Sequence, residues 1–197
     1  MELKQLKQNA TMYGVPVIRT ESHNILENEV IKTKPNHILE IGTAIGYSGI
    51  TMLKASTADL VTIEHNKDYI KQAKKNFAAH KFSKRVRIEE GDCLVILANM
   101  AASGKYNNYF DFVFLDAAKG QYIEFLPDIL RLLESGGVIF SDNILFKGML
   151  EDEDKVVRRK ITIVKRLKMY LEEIMNNENL TTSIIPIGDG VAISVKK

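Results

Sequence analysis

Short apolar runs alternate with amphipathic stretches along most of the chain, and that alternation is the strongest constraint on what it can fold into. The runs are His37–Ile41, Leu60–Glu64, Arg85–Glu90, Phe110–Leu115 and Gly137–Ser141. Short and mostly rich in apolar residues, they read as strands of a parallel sheet covered on both faces. Between them, Gly46–Ala55, Lys67–His80, Cys93–Ala102 and Gly120–Leu133 carry helical periodicity. Strand and helix in strict alternation predict a doubly wound α/β architecture.

The C-terminal part departs from plain alternation. A longer helix is expected from Glu153 to Met175, with Val157, Ile161, Val164, Leu167, Leu171 and Ile174 forming its inner face. Two more strands, Thr181–Pro186 and Val191–Val195, are joined by Ile187-Gly188-Asp189-Gly190, which reads as a hairpin link. The expectation is a seven-stranded, Rossmann-like sheet with a C-terminal antiparallel hairpin. Upstream, Glu2–Tyr13 and Ser22–Lys34 are helical patterns separated by Gly14-Val15-Pro16. With no internal repeat, residues 1–197 are expected to form one domain, residues 1–36 as N-terminal helices and 37–197 as a ligand-binding core.

Composition narrows the class. A 45% hydrophobic content over 197 residues is enough for a proper core. No apolar run approaches the roughly 18 residues that span a bilayer. Met1–Asn9 lacks the apolar stretch of a secretion signal. The single cysteine, Cys93, excludes an internal disulfide and a CxxC zinc site. The expected setting is the cytoplasm, with no membrane partner. A net charge of +2 does not announce a nucleic-acid partner, but Lys155, Arg158, Arg159, Lys160, Lys165, Arg166 and Lys168 follow one another without an acid among them. Charge runs of this kind are usually a solvated helix face.

The most informative local motif is Glu40-Ile41-Gly42-Thr43-Ala44-Ile45-Gly46-Tyr47-Ser48, directly after the first strand. Gly42 and Gly46 allow a sharp turn and a close backbone approach to a ligand, and the next helix aims free N–H groups at any anion there. The spacing is not the G-x-G-x-x-G of a pyrophosphate binder. A methionine carboxylate needs less room, so the loop favours S-adenosylmethionine. Glu64 ends the second strand about 20 residues on, where a carboxylate accepts ribose hydroxyls. Asp92, after the third strand, is placed to meet an adenine amino group. The bland alternative, a plain turn with acids capping strands, does not explain why these groups fall at successive strand ends.

The fourth and fifth strands end in Asp116-Ala117-Ala118-Lys119 and Ser141-Asp142-Asn143. Asp116, Asp142 and Asn143 offer hard oxygen ligands suited to Mg²⁺ or another divalent cation. Separately, each reads equally well as a helix cap or a turn. Lys119, beside such a cation, is a candidate general base whose pKa the cation would lower. Cys93 begins a helix, which could lower its pKa, but no histidine partner is evident.

These motifs resemble the metal-dependent O-methyltransferases related to catechol and caffeoyl-CoA O-methyltransferases, over nearly the whole chain from Val15-Pro16 onward. Ile38 to Ser48 carries the broad likeness. Asp116-Ala117-Ala118-Lys119-Gly120-Gln121-Tyr122, Asp142-Asn143-Ile144-Leu145-Phe146-Lys147-Gly148 and Ile185-Pro186-Ile187-Gly188-Asp189-Gly190 look similar to the bacterial branch that methylates 5-hydroxyuridine at the tRNA wobble position. The resemblance implies a class I S-adenosylmethionine-dependent fold and a homodimer. It implies cofactor contacts at Ile18, Ser48, Glu64, Asp92 and Asp116, to which the loop adds Glu40 and Gly42. It implies metal ligation by Asp116, Asp142 and Asn143; Asp116 and Lys119, three residues apart at the end of the fourth strand, are the expected catalytic pair.

A catechol offers two vicinal hydroxyls, and 5-hydroxyuracil offers a hydroxyl beside the 4-carbonyl in nearly the same geometry. The core motifs therefore serve either substrate. With the resemblance, the basic run is expected to track tRNA phosphates around the anticodon, with Phe146, Tyr122 and Tyr13 available to stack a base and Lys147 to reach a phosphate. The other readings are a small-molecule O-methyltransferase and a non-catalytic binding module on the same fold.

Overall fold

The computed structural model describes residues 3–146 and 158–197. Seven strands form one sheet in the order β3-β2-β1-β4-β5-β7-β6. β1 (His37–Ile41), β2 (Asp59–Glu64), β3 (Val86–Glu90), β4 (Phe110–Leu115) and β5 (Leu133–Asp142) run parallel. β6 (Leu180–Ile185) and β7 (Val191–Lys196) form the expected hairpin, and β7 pairs antiparallel with β5. The chain starts in the middle at β1, winds outward to β3, then returns to β4 on the other side of β1. The crevice between the carboxyl ends of β1 and β4 is the switch point where open α/β sheets bind ligands.

Helices α1 (Leu3–Met12), α2 (Thr20–Thr33), α3 (Tyr47–Ala55) and α4 (Lys67–Ala79) pack on one face. Helices α5 (Cys93–Ala102), α6 (Tyr122–Leu132) and α7 (Ile161–Asn176) cover the other. Alternate strand residues feed each core: Leu39, Val113, Leu115 and Ile139 meet α5–α7, while Ile38, Phe112, Phe114, Val138 and Phe140 meet α1–α4. Period-two alternation between two apolar layers makes β1 and β4 read as continuous apolar runs.

Two expectations change. β5 begins at Leu133, earlier than its apolar run, because Leu133 pairs with Phe110 and Val138 with Phe112 across a bulge holding the polar residues between. The inner face of α7 is Val164, Leu167, Tyr170 and Ile174, whereas Ile161 is 53% exposed. The hydroxyl of Tyr170 shares a 2.6 Å hydrogen bond with Ser141, so a tyrosine's polar tip fixes α7 to β5. Val157, Lys147, Gly148 and Lys155 lie outside the described residues. Among the described residues, no helix is long and apolar enough to cross a membrane.

Candidate active site

The ends of β1 to β5 surround one cavity of about 450 Å³. The loop after β1 supplies Gly42, Thr43, Ala44, Tyr47 and Ser48, and the end of β2 supplies Glu64 and His65. Asp92 and Cys93 come from the β3–α5 turn, Asp116 to Lys119 from the end of β4, and Asn143 from beyond β5. Pro16, Val17 and Ile18, the segment before α2, close one side. Ile18, Gly42, Ser48, Glu64, Asp92, Asp116, Lys119 and Asn143 therefore share one chamber.

The glycine loop is shaped by close approach. Gly42 has φ +104°, and a Cβ on it would lie 2.2 Å from the Asp116 carbonyl oxygen. Gly46 has φ +83°, with Phe77 against its missing side chain. The Glu64 carboxylate accepts the N–H groups of Ala44, His65 and Asn66, each at 2.9 Å. It is thereby locked at the cavity edge, which preorganises it for a polar ligand. One oxygen of Asp92 caps α5 by accepting from Leu94 and Val95 N–H.

Glu40 is placed differently from the expectation. It is fully buried and does not line the cavity. Its carboxyl accepts the hydroxyls of Ser48, at 2.5 Å, and Thr62, at 2.6 Å. It therefore stands behind Ser48 rather than in the chamber. Burial pushes its pKa up to about 7, opposed by the two hydroxyl donors and aided by the charges of Asp116 and Glu64. Cys93, which has no histidine partner in the sequence pattern, is not a ready thiolate despite starting a helix: burial, with Asp92 and Glu64 nearby, pushes its thiol up to about 12.

At the other end of the chamber, Lys119 Nζ donates to Asp116 Oδ1 at 2.6 Å and to the Tyr122 hydroxyl at 2.8 Å. Asp142 lies just behind the wall, fully buried, and neither of its carboxylate oxygens has a hydrogen-bond partner. Burial, then the charge of Asp116, raises its pKa to about 6. The buried Ser22 hydroxyl on α2 lowers that pKa, yet it completes no hydrogen bond of acceptable geometry with the carboxylate. Asn143 has φ +56°, a left-handed conformation that Asn tolerates better than most residues. Among the described residues no three His, Cys, Asp or Glu side chains converge as a metal cluster; the expected set has two carboxylates and an amide. An orphaned buried carboxylate beside a second one is a donor set that fits a divalent cation.

The segment after β5 is held from below by the hairpin turn. Ile144 N–H donates to Gly190 O at 3.1 Å and Leu145 N–H to Asp189 O at 2.8 Å. Tyr122, expected to stack a base, is fully buried, with its hydroxyl donating to Leu115 O, so it cannot. Tyr13 is 79% exposed, and Lys160 sits over the Phe146 ring at 4.9 Å. Within the basic run, Arg166 pairs with Glu124 at 2.7 Å. Sequence reasoning missed Val17, Tyr69 and Gln121 as cavity wall. Val17 was signalled only by its place beside Ile18, Gln121 only by its place in the Asp116–Tyr122 motif, and Tyr69 by nothing local.

A glycine loop after β1, acidic groups after β2 and β3, and an antiparallel last strand beside β5 together make the class I S-adenosylmethionine-dependent methyltransferase fold. More narrowly, the chain belongs to the O-methyltransferase family, whose model matches residues 2–197. It is similar to a candidate caffeoyl-CoA O-methyltransferase from Staphylococcus aureus, with 32% identity and a TM-score of 0.90 over 100% of this chain and 93% of that one. It also resembles TomG from Streptomyces achromogenes, a tomaymycin-synthesis O-methyltransferase solved with its methyl donor, at 25% identity and a TM-score of 0.85, covering 99% and 89% of the two chains. Among curated proteins, tricin synthase 2 of Oryza sativa is 29% identical across 98% of this chain. The catechol O-methyltransferase of Niastella koreensis is 34% identical across 60% of it. The matched stretch spans 67% of the first of these relatives and 53% of the second.

Proposed function

We propose that the chain is an S-adenosylmethionine- and divalent-cation-dependent O-methyltransferase, and that its acceptor is 5-hydroxyuridine at the tRNA wobble position, giving 5-methoxyuridine. The observation that carries the chemistry is the single chamber joining Gly42, Ser48, Glu64 and Asp92 to Asp116, Lys119 and Asn143. Ser48, Glu64 and Asp92 would hold the cofactor's polar ends. Asp116, Asp142 and Asn143 would hold the cation, which when bound lowers the pKa of an acceptor oxygen and orients it.

The protein's own groups do the rest. Methyl transfer is an in-line displacement at carbon, so rate depends on alignment. Lys119, in its neutral form, takes the acceptor hydroxyl's proton at Nζ. As ammonium it then donates to Asp116 Oδ1 and the Tyr122 hydroxyl, the partners it has in the structure. The Pro16–Ile18 segment keeps water from one side of the chamber.

The tRNA reading is supported by the motif resemblance and by the acid-free basic segment, in which Arg158 and Lys165 are exposed. A second reading, a small molecule with vicinal oxygens, is favoured by the catechol and caffeoyl-CoA acceptors named for similar proteins. The test is methyl transfer from labelled S-adenosylmethionine, with Mg²⁺ or a chelator, to tRNA bearing 5-hydroxyuridine and to catechol. Magnesium-dependent labelling of the tRNA, weakening steeply with salt, is the expected result. Labelling of catechol alone moves the acceptor to the small-molecule class.

A further inference from the structure

The hydroxyl of Tyr122 sits where three parts of the proposed site meet. It accepts from Lys119 Nζ at 2.8 Å, donates to the carbonyl of Leu115 at 2.9 Å, and lies 3.2 Å from the carbonyl of Asp142. Leu115 immediately precedes Asp116, and Asp142 is the other acidic residue of the site. One oxygen thus touches the tips of both strands that carry the carboxylates and the lysine between them.

The environment makes this oxygen costly to place without a purpose. Tyr122 is fully buried, and its pKa is raised well above the ordinary tyrosine value by burial and by the charges of Asp116 and Asp142. It stays a neutral phenol, with one proton to give and lone pairs to receive. Its ring packs edge-on against Tyr170 at 5.4 Å, and Tyr170 is itself bonded to Ser141, the residue before Asp142. A helix α6 side chain and a helix α7 side chain therefore pin the same turn of β5.

We propose that Tyr122 is a positioning residue for methyl transfer, which acts through Lys119 by holding its Nζ in register with the ends of β4 and β5. This rests on Lys119 being the proton acceptor. A lysine on a four-carbon stem samples many rotamers, and two fixed hydrogen-bond partners reduce that freedom. Asp116 alone supplies one; Tyr122 supplies the second and is anchored to the strand tips that define the chamber.

Tyr122→Phe tests it, since it keeps the ring in its slot and deletes only the oxygen. Turnover is measured with labelled S-adenosylmethionine on whichever of 5-hydroxyuridine-tRNA or catechol accepts methyl, in the wild-type and Lys119→Ala backgrounds. S-adenosylhomocysteine affinity is read by calorimetry alongside the thermal midpoint. The expected result is at least a tenfold fall in kcat, with KM for the cofactor and homocysteine-product affinity within twofold, and less than a twofold further fall when Lys119 is already Ala. Equal losses in both backgrounds, or parallel loss of product affinity, would assign Tyr122 to general stability and overturn the proposal. A Lys119→Ala enzyme with normal turnover would overturn the role of Lys119 itself, a result separable from the additive one.

Discussion

A Cβ on Gly42 would lie 2.2 Å from the carbonyl oxygen of Asp116, so the glycine loop after β1 and the end of β4 are in contact through a position that only glycine fills. The Asp116 N–H also donates to Ile41 O at 3.1 Å, which ties β4 to the residue before that glycine. The two halves of the chamber are thereby built against each other.

Gly42→Ala should therefore damage both halves together. A backbone clash at φ +104° has no flexible side chain to relieve it. The cost is on the order of 3 kcal/mol, read as a lower urea midpoint, with S-adenosylhomocysteine binding lost in calorimetry. Wild-type stability would mean that the loop can move away from β4.

Glu40 sets a pH dependence. Its pKa is about 7 in the folded chain against an ordinary value of 4.5. The folded state therefore binds more protons than the unfolded state between those values, and stability falls as pH rises through that window. The loss from this group is at most about 3 kcal/mol. Unfolding of the wild type and of Glu40→Gln across pH 5 to 8 should show a decline in the first that is flatter in the second. Parallel curves would place the titration elsewhere.

In the proposed cation site Asp142 combines cost with use. Its buried carboxylate has no partner, so Asp142→Asn should stabilise the chelator-treated protein near pH 8 by about 1 kcal/mol. The same substitution should remove the rise in thermal midpoint on adding Mg²⁺ and abolish turnover, while cofactor affinity stays within a few-fold. A magnesium shift that survives in this variant would move the cation away from Asp142.

Lys119→Ala should lower turnover by about 100-fold, the ordinary scale of a lost general base. Product affinity should change little, because Ser48, Glu64 and Asp92 lie at the other end of the chamber. Unchanged turnover would remove Lys119 from the mechanism.

Much of this was legible along the chain. β1, β4 and α5 fall on their expected residues, because a strand buried on both faces and an apolar helix leave local patterns. The chamber residues were legible because they sit at strand ends, which α/β topology gathers. Glu40 stands outside the chamber for a physical reason: it lies one residue inside the end of β1, level with Thr62, and Thr62 and Ser48 at the start of α3 take up its carboxyl, whereas Glu64 is the last residue of β2 and reaches the cavity. Tyr122 was read as a stacking surface because an aromatic residue near a site looks the same whether its ring is outside or its hydroxyl is spent inside. Ile161 has the right helical spacing but falls at the start of α7, where it is more than half exposed.

Alone, the sequence determined the architecture, the family likeness and the set of groups at the ends of five strands. Periodicity and glycine placement are local properties that survive without knowledge of distant contacts. Tertiary structure decided which carboxylate is orphaned, which stands behind Ser48, and which hydroxyl holds Lys119. Those outcomes depend on the packing of α2, α6 and α7 against the sheet, and burial and hydrogen-bond partners exist only once segments far apart in the chain have met.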